Sequence, residues 1–369
     1  MSDFEILSTD PKSSARRGVL TTPHGKVETP AFMPVGTAGA VKGITPKQLK
    51  ETGADILLAN TYHLMLRPGV NVVEKLGGLH KFMAWDGPLL TDSGGYQVFS
   101  LSTLVKVDDK GVEFASHVDG TRIYLDAKLA TEIQNRLGAD IIMCFDQCAP
   151  ASASVTELKT AVERTIRWAG VCKDTHDNPS QSLFGIVQGG TDIELRAYCT
   201  ERLVKLGFDG YAIGGLSVGE KHDDMIKTVN QTAQFLPPQL PLYLMGVGTP
   251  ADIIAAVKAG VDMFDCVLPT RNGRNAFAFT ENGPLRLRNN EHISAAEPVE
   301  PGCDCYCCTN FSRATLRHFF NCGEMLGPIL LSLHNIRFYQ RLMAKIRQSL
   351  KDGKFSSWAA EHLRKYRSY

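Results

Sequence analysis

The stretch Val261–Arg274, V-D-M-F-D-C-V-L-P-T-R-N-G-R, sets two carboxylates, Asp262 and Asp265, in an apolar run that stops at Pro269 and continues into a loop bearing Arg271 and Arg274. A strand that delivers an acidic side chain and then opens into a cationic loop is how an active-site strand end reads. Taken alone, the stretch also fits a buried strand with capping aspartates and solvated arginines. Strand alternation separates the two acids: Asp265 shares a face with Val261 and Met263 at the C-terminal end, whereas Asp262 lies deeper and points the other way.

Other acids stand at the ends of other apolar runs. Asp92 and Ser93 open T-D-S-G-G-Y-Q, and Asp146 sits in F-D-Q-C. Three aspartates at separate strand ends suit carboxylate chemistry: a nucleophile or stabiliser, a general acid and base, and a group recognising a polar substrate. V-Q-G-G at Val187–Gly190 and I-G-G-L-S-V-G-E at Ile213–Glu220 add an amide side chain and exposed backbone N–H groups. Such donors and acceptors could read the edge of a purine-like heterocycle.

A second chemistry is carried by cysteine. Six of the ten cysteines are scattered and fit ordinary buried thiols, but Cys303-x-Cys305-x-x-Cys308 puts three thiolates in one tight turn, with His334 downstream to complete the set. Cys₃His satisfies tetrahedral zinc, and four protein ligands leave no open position, which points to a structural ion. Cys307 falls outside the ligand register and is taken as a bystander. No H-E-x-x-H or H-x-H pattern suggests a catalytic metal.

These groups must be positioned by alternating elements. Ala54–Asn60, Gly87–Asp92, Ala139–Asp146, Leu183–Gln188, Gly210–Gly215, Leu242–Gly246 and Val261–Val267 are expected as strands. Ala127–Leu137, Val155–Thr175, Asp192–Leu206, His222–Phe235 and Pro250–Ala259 are expected as helices, the last with Pro250 just inside a Thr249 cap. Near-continuous apolar strands joined by helices mean a parallel sheet covered on both faces. Seven or eight such units without a linker fit an α/β fold of (β/α)₈ TIM-barrel type, and the polar strand ends would then converge on its C-terminal mouth.

The alternation breaks after Asn282-Gly283. We divide the chain into a catalytic barrel over residues 1–285, a zinc-binding subdomain over 286–335, and C-terminal helices over 336–369 packing on both. Expected helices there are Ser312–Phe320, His334–Leu350 and Ser356–Tyr366, the second with a basic face through Arg337, Arg341, Lys345, Arg347 and Lys351, which fits a solvated face better than a polyanion site.

Lys and Arg number 40 against 39 Asp and Glu, so nucleic-acid binding would need a local patch. No signal-like N-terminus or membrane-length apolar run occurs, which together with the clustered cysteines leads us to expect a cytoplasmic protein with no membrane partner.

Together, T-D-S-G-G-Y-Q, F-D-Q-C, G-I-V-Q-G, G-Y-A-I-G-G-L-S-V-G-E, Y-L-M-G-V-G, D-M-F-D-C-V-L-P-T-R and the C-x-C-x-x-C cluster with His334 resemble the bacterial-type tRNA-guanine transglycosylases, in order along nearly the whole chain. The resemblance implies a cytoplasmic, homodimeric pentosyltransferase with one structural zinc per subunit. It would exchange the wobble-position guanine of certain tRNAs for a 7-deazaguanine base, a step of queuosine biosynthesis. By position, Asp265 would be the nucleophile that holds the tRNA covalently, and Asp92 the general acid and base. Asp146, Gln188, Gly215 and Leu216 would hold the heterocycle, with Tyr96 and Met245 on its two faces and Ser93 and Cys148 beside it. Arg271 and Arg274 would contact the anticodon nucleotides, and Cys303, Cys305, Cys308 and His334 would bind zinc.

Valine at position 218 is similar to members that take the small 7-aminomethyl-7-deazaguanine, where the queuine-inserting eukaryotic type tends to have glycine. Cys148 also matches the bacterial type, whereas Ser217 is shared with the eukaryotic one. A non-catalytic tRNA-binding paralogue and a barrel glycosidase acting on a small nucleoside are the competing readings. Asp92 together with Asp265 speaks against the first, and the arginines and the zinc segment against the second.

Overall fold

The computed structural model describes residues 3–101 and 103–366. Eight short strands, Ala31–Met33, Leu57–Ala59, Leu89–Thr91, Ile141–Met143, Ser182–Val187, Gly210–Ile213, Leu242–Leu244 and Met263–Asp265, pair in parallel in chain order, and the eighth pairs with the first. The seam between the first and second is bridged from Val35 to Leu58, where Gly36 N–H donates to the Leu58 carbonyl at 2.6 Å. The (β/α)₈ expectation holds.

The strands are apolar on both faces because both are covered. Met33, Leu58, Leu90, Met143, Phe184, Ile186, Ala212, Tyr243 and Met263 fill the barrel interior as one buried cluster. Their neighbours one residue away, among them Phe32, Leu57, Leu89, Ile142, Leu183, Ile213, Leu244 and Phe264, pack outward in a second cluster with the helices. At about 25 cal/mol per Å² of apolar surface, this double burial is the main favourable term holding the barrel closed.

The surrounding helices begin where local chemistry tells them to. Ser154 and Glu157 form a reciprocal capping box at the start of Val155–Thr175, and Asp126 caps Ala127–Leu137, which ends at Gly138 in the left-handed region with φ 77°. Asp192 caps Ile193–Leu206 and Thr249 caps Pro250–Lys258.

Three features were not legible in the pattern. The first barrel strand, Ala31–Met33, spans only three residues between two prolines and is too short to show a period. Asp3–Thr9, Arg16–Thr22 and Gly25–Thr29 form an antiparallel sheet whose Leu20, Val27 and Phe4 pack against the barrel-interior cluster. Thr103–Val107, Gly111–Ala115 and Arg122–Asp126 form another between the third and fourth barrel strands.

The expected loop after Pro269 is instead a short helix, Leu268–Arg274. Proline sits in its first turn, where the missing N–H costs nothing, so Pro269 starts a helix rather than ending order. Along it runs Leu326–Lys351, a helix that begins well before His334 and passes so close that a Cβ on Gly273 would lie 2.7 Å from the Ser332 backbone nitrogen. Asn335 ties the two together, donating to the Pro269 and Phe277 carbonyls at 3.0 and 2.9 Å and accepting from Phe279 N–H at 2.9 Å.

Four of the five basic residues on that long helix have partners within the protein. Arg337 pairs with Asp304, Arg341 with Glu281 and Glu300, Lys345 with Glu281, and Arg347 with Glu28. Much of this charge therefore fastens the helix to the rest of the protein, where a solvated face was expected. Among the described residues no helix is long and apolar enough to cross a membrane.

Candidate active site

On most of the barrel strands, continuing by two residues beyond the last interior side chain carries the inward face to the mouth. The step leads from Leu58 to Asn60, from Leu90 to Asp92, from Ile186 to Gln188, from Tyr243 to Met245 and from Met263 to Asp265. All five endpoints line one cavity of about 520 Å³. Ser93, Tyr96, Asp146, Cys148, Gly215, Leu216 and Arg271 line it too. Arg274 does not line it; it sits one turn along the helix from Arg271.

Asp265 accepts two hydrogen bonds on Oδ1, from the Tyr243 hydroxyl at 2.5 Å and from Gly246 N–H at 2.8 Å. Among the described residues its Oδ2 makes none. Burial pushes its carboxyl above the ordinary range, while Tyr243 and Gly246 pull it back. Asp262 is committed elsewhere: fully buried, it is held by Arg16 through Nε at 2.9 Å and Nη2 at 2.5 Å, and it accepts from Leu242 N–H at 2.8 Å. Its role is to anchor the N-terminal sheet to the start of the eighth strand.

Asp92 is cradled by Asn60 Nδ2 at 2.5 Å, Gln97 Nε2 at 2.7 Å and Thr61 N–H at 2.8 Å. Burial nonetheless pushes its carboxyl up to about 6, with the charge of Asp265 adding to the rise and the three hydrogen bonds opposing it. A carboxyl poised near neutrality can both give and take a proton. Burial is the larger cause and the neighbouring carboxylate the smaller.

Asp146 is also pushed up to about 6 by burial, against hydrogen bonds from Gln188 Nε2 at 2.7 Å and Ser93 Oγ at 3.0 Å. Gly215 closes this corner: its φ is +65°, and a Cβ there would lie 2.1 Å from Gln188 Oε1, so any side chain would be strained and would displace the Gln188 amide. Beyond it, Glu220 accepts from the Ser217 and Val218 N–H groups and pins that turn. Burial pushes the Cys148 thiol up to about 12, which makes it a neutral wall and not a nucleophile.

Arg271 is exposed on the cavity rim, while Arg274 is half-buried with Nη1 lacking a partner among the described residues. Burial and the charge of Arg271 lower its proton affinity.

The ligating atoms of Cys303, Cys305, Cys308 and His334 all lie within 4.8 Å of one another. His334 Nδ1 is 3.7, 3.7 and 3.3 Å from the three sulfurs, and its Nε2 bonds the Phe279 carbonyl at 2.9 Å, which fixes the ring. Four buried soft and borderline donors with a supporting carbonyl are compatible with a closed tetrahedral zinc site. Cys307 is buried beside them but outside the set.

A second group, His24, His80 and Asp140, lies away from the cavity. His24 Nδ1 and His80 Nε2 bond opposite oxygens of Asp140 at 2.7 and 3.1 Å, and the rings stack at 3.6 Å with planes 19° apart. Lone pairs in nearly parallel planes do not converge on one ion, so this is a hydrogen-bonded bracket holding the Gly25 turn to the fourth strand.

Sequence reasoning missed Tyr243 and gave Gln97 no place in the site, whereas Asn60, expected with the other polar strand ends at the barrel mouth, lies there and donates to Asp92. Tyr243 was detectable, being in phase with Met245 two residues on. Asp146, expected in the site, reaches it by leaving the strand's alternation: counting by two from Met143 would put Phe145 inside, yet Phe145 packs outward on Trp168 at 5.0 Å and Asp146 enters the cavity.

A family model described as queuine tRNA-ribosyltransferase matches residues 10–368. The chain is 52% identical over 364 residues to a queuine tRNA-ribosyltransferase of Caldanaerobacter subterraneus subsp. tengcongensis, covering 98% of this chain and 97% of that protein. It is 50% identical over 355 residues to one of Pseudomonas putida, covering 96% and 95%, and 48% identical over 365 residues to one of Francisella tularensis subsp. novicida, covering 99% of each.

Proposed function

The chain belongs to the queuine tRNA-ribosyltransferase family of pentosyltransferases, and we propose that it exchanges the wobble-position guanine of queuosine-type tRNAs for 7-aminomethyl-7-deazaguanine. Asp265 attacks the ribose anomeric carbon through Oδ2, its other oxygen being held by Tyr243 and Gly246. The glycosidic bond breaks, its electron pair leaves with guanine, and protonated Asp92 supplies a proton. The new base then gives its ring proton to Asp92 and displaces Asp265. Two displacements at one carbon retain its configuration. Because the covalent ester outlives the departing base, exclusion of water makes the outcome exchange instead of hydrolysis.

Two carboxylates, Asp92 buried and Asp265 half-buried, the charge of the second acting on the first in a cavity walled by the Asp146–Gln188 pair, carry this reading. Asp146, Gln188, Gly215 and Leu216 hold the heterocycle, with Tyr96 and Met245 on its faces and Ser93 and Cys148 alongside. Val218 lines the same cavity and leaves room for a small substituent, which favours the aminomethyl base over queuine. Arg271 and Arg274 contact the anticodon nucleotides beside the target, whose single-stranded base is extruded at low cost.

The Cys₃His set holds one structural zinc per subunit; zinc there would cross-link the cysteine turn to the Leu326–Lys351 helix. We further place the protein in the cytoplasm as a homodimer, with residues 1–285 as the catalytic barrel, 286–335 as the zinc subdomain and 336–369 as the helices that pack on both.

The test is incorporation of labelled guanine into tRNA. Wild-type protein should incorporate it and form an adduct with tRNA that survives denaturing electrophoresis, and Asp265→Asn should lose both. Binding of tRNA without incorporation would favour the paralogue reading, and release of base from a free nucleoside would favour the glycosidase. Competition between 7-aminomethyl-7-deazaguanine and queuine decides the base.

A further inference from the structure

Arg196 is fully buried behind the base pocket, and its guanidinium makes no ion pair among the described residues. It is instead surrounded by main-chain carbonyls. Nε donates to Gly190 at 2.6 Å, Nη2 to Gly214 at 2.9 Å and Nη1 to Val187 at 3.3 Å. Those carbonyls lie at or just beyond the ends of the fifth and sixth barrel strands, where Gln188 and Gly215 are presented. The chain has made room for it: a Cβ on Gly189 would lie 2.9 Å from the Arg196 side chain.

A buried cation without a carboxylate is costly, and here burial lowers its proton affinity only to about 10, so it stays charged at neutral pH. The Gly214 carbonyl it grips belongs to the same planar peptide as the Gly215 N–H. Withdrawing electron density at the oxygen makes that N–H a stronger donor, as in any polarised hydrogen-bond chain. In the free protein this N–H lies against the Cys148 sulfur, a cavity wall.

Resting on the exchange reading above, we propose that Arg196 is a positioning residue for the leaving base, acting through the Gly214–Gly215 peptide. Its charge both fixes the peptide and strengthens the Gly215 N–H donor toward the heterocycle's carbonyl oxygen. As the bond from the anomeric carbon to the ring nitrogen breaks, the electron pair spreads over the base onto that oxygen. A donor backed by a fixed cation stabilises this charge more than it stabilises the neutral base, which is the condition for lowering the barrel's reaction barrier.

The experiment compares single-turnover displacement of labelled guanine with that of labelled 8-azaguanine, a base of the same shape with a more acidic ring N–H, from tRNA loaded with each. The more acidic base leaves with less help. Arg196→Gln should slow guanine release by about 10-fold to 100-fold and 8-azaguanine release markedly less. Arg196→Lys, which keeps the charge, should recover part of the guanine rate and narrow the gap between the bases. It also serves as the test protein if Arg196→Gln does not fold, and should then itself slow guanine more than 8-azaguanine. Equal slowing of both bases means that the residue only props up the fold and overturns the proposal, as does no slowing at all. Absence of exchange by the wild type would instead remove the underlying reading.

Discussion

The Tyr243 hydroxyl donates to Asp265 Oδ1 at 2.5 Å from inside the barrel, one strand away. Burial and the Asp265 charge keep this phenol neutral by raising its proton affinity, so it acts as a fixed donor. A hydrogen bond to a buried carboxylate is worth roughly 1.5–3 kcal/mol and favours the ionised nucleophile. Tyr243→Phe should therefore cut kcat by about 10-fold to 100-fold. Removing a bond that holds the Asp265 carboxyl down raises its proton affinity, so the acidic limb of the pH–rate profile should move to higher pH. An unmoved limb would show that Tyr243 does not tune the nucleophile.

Asp92 gives a prediction for stability. Its carboxyl rises from 3.8 to about 6 on folding, so the native state binds its proton more tightly than the unfolded chain. The stabilisation this provides is fully present below about pH 4 and is lost as pH rises through about 6, a total of about 3 kcal/mol. Asp92→Asn has no such proton. The variant's unfolding free energy should thus gain on that of the wild type between pH 4 and pH 7, and parallel stability curves would contradict the assignment.

Asp262 and Asp265 should fail differently. Asp262→Asn leaves Arg16 buried beside a neutral group and should cost about 3–5 kcal/mol of stability. Because Asp262 does not line the cavity, exchange by the protein that remains folded should stay within about threefold of wild type. Denaturant titration and single-turnover kinetics measure the two separately. Loss of chemistry without loss of stability would reverse the roles argued for these acids.

The cysteine cluster is testable by metal content. Cys305→Ser and His334→Ala should each lose stoichiometric zinc and lower Tm, since structural sites contribute about 10–16 kcal/mol of apparent binding energy in peptides. Chelation of the wild type should do the same, and restored zinc should reverse it. Unchanged melting after verified metal removal would mean that the four side chains hold no structural ion.

Much of this molecule follows from local sequence alone. Caps such as Ser154 and Asp192 start helices through their own side chains, and apolar runs such as Leu57–Ala59 become strands because both faces need cover. Acids at strand ends and closely spaced cysteines are likewise visible, because their meaning lies in types and spacing. What needed the tertiary structure was everything set by a partner distant in sequence. Asp262 meets Arg16 across 246 positions and becomes an anchor, while Arg337, Arg341, Lys345 and Arg347 meet acids that turn a basic face into a fastening. The inward turn of Asp146 belongs here too, because it lies where the chain has left a regular strand, as does the buried charge of Arg196, a helix residue whose carbonyl partners are set by the ends of two strands.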